Sequence, residues 1–302
     1  MPGSNPSDTD TDTDTDTDTD TDTDVDFRRL GPVERLRLLR RRVAGPFVFT
    51  TSLGLEDQVL LHLIVESGIA VDIVTLDTGR LFPETYELWA RTETRYGLRI
   101  RAFYPDANAL ETLVRERGVN GFYVSKSART ACCGVRKSEP LARALNRAAV
   151  WITGLRADQS AARSTTRFVA YDPAHDLIKA NPLLDWTREQ TAAFAQAQDI
   201  PVNTLHRRGF LSIGCAPCTR AVAPGEAERA GRWWWEEDET RECGLHLKDG
   251  RLVPLRKDGR LVPNPKDGRL VPNPKDGRLV PNPKDGRLVP IRKDGRLVRA
   301  GA

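Results

Sequence analysis

Five cysteines carry the demanding chemistry available to this 302-residue chain, and they fall as two pairs and a single: Cys132-Cys133, Cys215-Ala216-Pro217-Cys218, and Cys243. Adjacent cysteines do not readily bond to each other, because the short ring strains the peptide and pulls the sulfurs off their preferred dihedral. Both can turn towards one metal centre, however, and the Cys-x-x-Cys supplies a second pair. Four thiolates are what iron–sulfur clusters and structural zinc both demand. Inert buried thiols are common for single cysteines, but they explain this grouping poorly. The fifth thiol, Cys243, is left over for chemistry of another kind, since an exposed unpaired cysteine without a use is a liability.

The elements that must position these residues read as parallel α/β units. A helix is expected from Pro32 to about Val43, with Val33, Leu36, Leu39 and Val43 on one face. A β-rich run, Pro46 to Ser52, turns through Gly54 into an amphipathic segment from Glu56 to Ser67. Strand, tight turn, helix is a place to hold an anion, although an ordinary βα loop is as good a reading of that segment alone. A second strand, Val71–Leu76, ends in Asp77-Thr78-Gly79, and a helix from Glu84 to Tyr96 follows Pro83. A third strand, Leu98–Tyr104, leads into a helix over about Ala107–Arg117. Such units in series predict a doubly wound, mainly parallel sheet with helices on both faces, its ligand at the carboxyl ends of the strands.

Residues 118–131 read as an irregular crossing. Cys132-Cys133 then opens a helix to about Asn146, whose N-terminal field favours thiolates, with Lys137 adding charge nearby. A strand over Ala148–Thr153 runs into Gly154-Leu155-Arg156 and a polar loop, 158–163, of a composition suited to clamping an anion. Phe168–Tyr171 and Leu177–Asn181 form a hairpin at the sheet edge. Thr187-x-x-Gln190 has capping-box spacing for a helix to about Gln198.

Both ends are low-complexity. Residues 8–24 alternate Asp and Thr, nine aspartates with no apolar residue, and cannot offset their ordering entropy. From Lys248 a nine-residue unit, Lys-Asp-Gly-Arg-Leu-Val-Pro plus two, runs six times to the C-terminus, the last copy imperfect. The organisation expected is thus a disordered tract over 1–24, a folded domain over 25–247, and a repetitive tail over 248–302, extended or disordered. The net charge of +4 conceals an acidic head and a basic tail. A mildly basic core suits an anionic small molecule and does not argue for nucleic acid. No long apolar run and no signal pattern is present, so neither membrane nor export is expected, and a cytoplasmic protein with reduced cysteines follows.

Taken together, Cys132-Cys133-x-x-Arg136-Lys137, Cys215-Ala216-Pro217-Cys218-Thr219-Arg220 and Glu242-Cys243-Gly244-Leu245-His246 closely resemble the assimilatory adenylyl-sulfate reductases that use thioredoxin, within the PAPS reductase family. Leu76-Asp77-Thr78-Gly79-Arg80-Leu81-Phe82-Pro83-Glu84-Thr85 and Thr153-Gly154-Leu155-Arg156 fit the same pattern, over about Phe47 to His246. The resemblance implies an adenine nucleotide alpha-hydrolase-like fold and reductive cleavage of adenosine 5′-phosphosulfate to sulfite and AMP, in sulfate assimilation and cysteine biosynthesis. It implies a 4Fe–4S cluster on Cys132, Cys133, Cys215 and Cys218, and Cys243 as the nucleophile that becomes S-sulfonated. Thioredoxin or a glutaredoxin-like donor would then release sulfite. By matching positions, Lys137, Arg229, Arg232 and His246 would neutralise the phosphosulfate. Ser52 and Asp57 would shape the nucleotide end, and Leu76 and Gly154 the adenosine pocket. Surface charges are more often solvated or paired, which is the competing reading of the cations.

The nearest rival is a 3′-phosphoadenylyl-sulfate reductase or a dual-substrate enzyme, ordinarily without the two cysteine pairs. An ATP-pyrophosphatase-like ligase is disfavoured by Leu53 and Glu56 in Ser52-Leu53-Gly54-Leu55-Glu56-Asp57. A non-catalytic zinc module is the distant alternative. A homo-oligomer stays open.

Overall fold

The structure, a computed structural model, describes residues 27–160, 163–236, 279–281 and 288–290. Its first compact unit holds α1 (Pro32–Arg42), β1 (Phe47–Thr51), α2 (Leu55–Ser67), β2 (Asp72–Leu76), α3 (Pro83–Tyr96), β3 (Arg101–Phe103) and α4 (Ala107–Arg117). There follow α5 (Lys126–Cys133), α6 (Glu139–Leu145), β4 (Val150–Ile152), β5 (Val169–Asp172), β6 (Leu177–Ala180) and α7 (Arg188–Ala197). The sheet order is β3-β2-β1-β4-β6-β5, every pairing parallel except β5 with β6. The chain winds outward through β2 and β3, then returns to place β4 on the other side of β1.

Strand periodicity sorts side chains onto two faces. Phe47, Phe49, Ile73, Val150 and Ile152 join a large apolar cluster with residues of α1, α2 and α3. Val48, Val74 and Trp151, one residue out of phase, pack with Leu141, Ala144 and Leu145 of α6. Helices therefore cover both faces, as a parallel sheet requires. α2 is buried almost all round, and its Leu60 is 0 % exposed. Local chemistry sets the ends: Pro83 starts α3, Gly68 and Gly97 stop α2 and α3 at φ 70° and 61°, and Thr187 and Gln190 close a reciprocal capping box on α7.

Three expectations are corrected. The third strand does not run from Leu98 to Tyr104: the Leu98 N–H donates to Glu93 O at 3.3 Å and the Ile100 N–H to Glu93 Oε1 at 2.8 Å. Those bonds fasten the start of the segment to the end of α3, leaving three residues for the ladder. Cys132 and Cys133 do not open a helix. Ser125 caps α5 by accepting from the Ala128 N–H at 3.1 Å, so the cysteines come in its last turn. A π-helical turn, Gly134–Ser138, then passes directly into α6. The hairpin lies at the edge only through β5, because β6 pairs with β4 as well.

Most of the repeats, and the Asp/Thr tract, lie outside the described residues. The second compact unit, Pro265–Ala302, contains β7 (Leu279–Pro281) and β8 (Leu288–Pro290), paired antiparallel with Val280 opposite Val289. The prolines stand at strand ends, where a missing N–H costs least.

Candidate active site

The carboxyl ends of β1, β2 and β4 open onto a cleft of about 190 Å³. Its position follows from the winding, since the chain leaves β1 and β4 in opposite directions and a crevice opens between them. Ser52, Asp57, Leu76 and Gly154 line it, and so do Lys137, Arg229 and Arg232. Seven residues chosen from the sequence thus meet in one place, drawn from five separate segments.

The turn after β1 is tight because Leu53, buried at 1 % exposure, adopts φ 60°, a left-handed conformation that a branched side chain holds only when its surroundings demand it. The Leu53 N–H donates to Thr51 Oγ1 at 3.0 Å, and both the N–H and the hydroxyl of Ser52 donate to Asp57 Oδ2 at 2.6 Å. No side chain caps α2 at Gly54, so its first turn is open to an anion. Burial drives the Asp57 carboxyl up to about 6, against the two bonds from Ser52, with Glu56 raising it further and Arg163 lowering it. Gly154 lies hard against this turn: a Cβ there would stand 2.4 Å from Asp57 Oδ1 and 3.3 Å from the Asp57 nitrogen. Glycine is required for close approach, not for its backbone angles.

At the cationic end, Arg232 is nearly buried, over the face of Trp233 at 4.7 Å. Its guanidinium occupies the space a Cβ on Gly214 would take, 2.3 Å away, and its Nε has no partner among the described residues. Arg229 approaches the same ring at 5.9 Å and Arg129 at 4.6 Å. Trp233 itself has φ 47°, and its N–H donates to Cys218 O at 3.2 Å.

A second, small cavity is ringed by Cys132, Cys133, Cys215 and Cys218, none of them in a disulfide. Lys137, Arg232 and Trp233 line both cavities and form the wall between them. Thr78 Oγ1 lies 3.3 Å from Cys215 Sγ, and Arg136 donates to Thr78 O at 2.5 Å. Burial raises the Cys132 thiol, and it drives Cys218 up to about 12 with help from the neighbouring Cys215. Cys215 is lowered despite its burial, by Lys137, the Thr78 hydroxyl, Arg232 and Arg136 in that order. The field that favours a thiolate was expected at Cys132 and Cys133; it comes from side chains instead and lowers Cys215, whereas Cys132 is raised. Among the described residues no three His, Cys, Asp or Glu side chains converge to hold a metal ion; the four thiols surround a space instead.

Cys243 and His246 lie outside the described residues. Sequence reasoning passed over Thr78, Arg136 and Trp233 as site residues. Thr78 and Arg136 stood inside motifs already noted, and Trp233 sits in an aromatic run beside both arginines, but the contacts that give them a part in the site bridge distant stretches.

The phosphoadenosine phosphosulfate reductase domain model matches residues 46–221, the stretch that carries the sheet and both cysteine pairs. The chain is 53% identical over 212 residues to an adenosine 5′-phosphosulfate reductase of Agrobacterium fabrum, covering 70% of this chain and 82% of that one. It is 56% identical to the like-named protein of Sinorhizobium fredii, covering 68% and 82%. Among solved structures it is similar to a phosphoadenylyl-sulfate reductase from Candida auris in a phosphate complex, with TM-score 0.56, 25% identity, and coverage of 66% and 94%.

Proposed function

The chain belongs to the phosphoadenosine phosphosulfate reductase family, and from that premise we propose how its residues divide the work. It is an oxidoreductase acting on sulfur, reducing adenosine 5′-phosphosulfate to sulfite and AMP in sulfate assimilation. The observation that supports the assignment of residues is the single cleft holding Ser52, Asp57, Leu76, Gly154, Lys137, Arg229 and Arg232, walled off from four cysteines by Lys137, Arg232 and Trp233.

Adenosine lies against Leu76 and Gly154, and Ser52 with the open first turn of α2 receives the phosphate. Lys137, Arg229, Arg232 and His246 neutralise the phosphosulfate, which matters because the attacking group is itself an anion. The Cys243 thiolate attacks the sulfate sulfur, the sulfur–oxygen bond to the phosphate breaks, and AMP leaves with the electron pair. The donor's first thiolate attacks Cys243 Sγ and expels sulfite. Its second thiol resolves the mixed disulfide, returning the Cys243 thiolate and leaving the donor oxidised by two electrons. Thioredoxin is the donor we assign.

Cys132, Cys133, Cys215 and Cys218 fit a 4Fe–4S cluster as a donor set. None is in a disulfide, and they come from two segments to surround one space. Burial also resists several bare thiolates there, which a cationic iron core would relieve. When bound, such a group supplies a rigid tie between α5 and the Cys215 turn, and a charge beside Lys137.

Anaerobically purified protein should be brown, contain iron and sulfide, and release sulfite from adenosine 5′-phosphosulfate with reduced thioredoxin. Cys243→Ser should form no covalent adduct from sulfur-labelled substrate; a persisting adduct would overturn the assignment. Colourless protein containing zinc would overturn the cluster. Competition with the 3′-phosphorylated nucleotide measures the preference between the two substrates.

A further inference from the structure

Behind one wall of the cleft, alternating charges join four segments. Arg156, 0 % exposed, donates from Nε to Glu56 Oε1 at 2.9 Å, from one terminal nitrogen to Glu228 Oε2 at 2.7 Å, and from the other to Asp158. Glu228 Oε1 in turn lies 3.5 Å from Arg188, the first residue of α7, which also donates to Leu211 O at 3.2 Å. Glu56 and Glu228 line the cleft, and the two arginines stand behind them. Carboxylates facing a pocket for an anionic ester are electrostatically costly unless they serve another purpose.

The sequence position of Glu228 supplies that purpose. It immediately precedes Arg229 and stands one turn of chain before Arg232. Residues 223–227 are exposed. Within that stretch Glu226 pairs back onto Arg220 at 2.7 and 2.8 Å, whereas Glu228 reaches across to the body of the domain. Buried ion pairs add little net stability when desolvation is counted, but they fix geometry, because a misplaced partner leaves a charge unpaired.

We propose that the Arg156–Glu228 pair is a positioning device: it draws the 223–231 stretch onto the sheet and thereby sets Arg229 and Arg232 at the phosphosulfate end of the cleft. Neither Arg156 nor Glu228 takes part in bond making. The proposal rests on adenosine 5′-phosphosulfate as substrate.

The test compares two ligands. Adenosine, which lacks phosphate and sulfate, reads the nucleoside pocket; the full substrate reads the arginines as well. Glu228→Gln keeps the side-chain shape while removing its charge. Its KM for the substrate should rise about tenfold and its kcat change less than about threefold, with the adenosine inhibition constant unchanged. The double variant Arg156→Gln/Glu228→Gln should be no worse than Arg156→Gln alone, since members of one pair are not additive. A wild-type KM in Glu228→Gln, an equal loss of affinity for adenosine and substrate, or additive losses in the double variant would each overturn the proposal. If Arg156→Gln does not fold, Glu228→Gln decides alone. Failure of the parent protein to release sulfite would instead sink the assigned reaction, and equilibrium binding of the two ligands would still judge the pair.

Discussion

A methyl group added at Gly154 would stand 2.4 Å from Asp57 Oδ1, so Gly154→Ala must push the β4 turn away from α2 or turn the carboxyl out of its bonds with Ser52. Overpacking of this kind costs about 1–3 kcal/mol. The expected result is at least a tenfold rise in KM for adenosine 5′-phosphosulfate, read against a melting curve. Asp57 itself links the site to pH. The folded carboxyl holds its proton to about 6, against 3.8 for the free group. A raised folded value means the contribution to stability is full below the unfolded value and is lost as pH rises through about 6. The loss is at most about 3 kcal/mol above that point. Asp57→Asn, uncharged throughout, should therefore gain on the parent between about pH 4 and about pH 7.5 in urea unfolding. A difference that stays constant across this range would mean the carboxyl titrates normally.

At the scale of elements, α2 is the piece on which both core and cleft depend. Leu60→Ala should cost about 3 kcal/mol, because Leu60 is fully buried in a tightly packed part of the core and the cavity cannot close; chemical denaturation measures it. Boundaries marked by their own residues were readable in the chain: Pro83 for α3, and Thr187 with Gln190 for α7. Those decided by contacts were not. Nothing near Leu98 announces that Glu93 will claim the backbone of Ile100, and Ser125 as a cap was hidden in a polar run. The same division runs through the site. Ser52, Leu76 and Gly154 were named from the family resemblance, and they share one cleft because parallel units deliver strand ends to one edge. The Thr78–Cys215 contact and the Arg156–Glu228 pair each join segments that no local pattern connects.

For the molecule as a whole, the family match ends at residue 221, and the described residues that line the cleft all precede 237. Deleting residues 248–302 should leave sulfite release within about twofold of the full chain and the melting point within a few degrees. A large loss would assign the tail a part in catalysis or folding. Among the described residues no helix is long and apolar enough to cross a membrane.

The central pairing of β1 with β4 is made by three residue pairs, Phe47 with Val150 to Phe49 with Ile152, between strands about a hundred positions apart. The cleft straddles that seam, with Ser52 on one bank and Gly154 on the other. A nucleotide bound there, as proposed, would staple two halves that the polypeptide joins only at long range. Amide exchange should slow most along Phe47–Phe49 and Val150–Ile152 when adenosine is added, and least at the outlying β3 and β5.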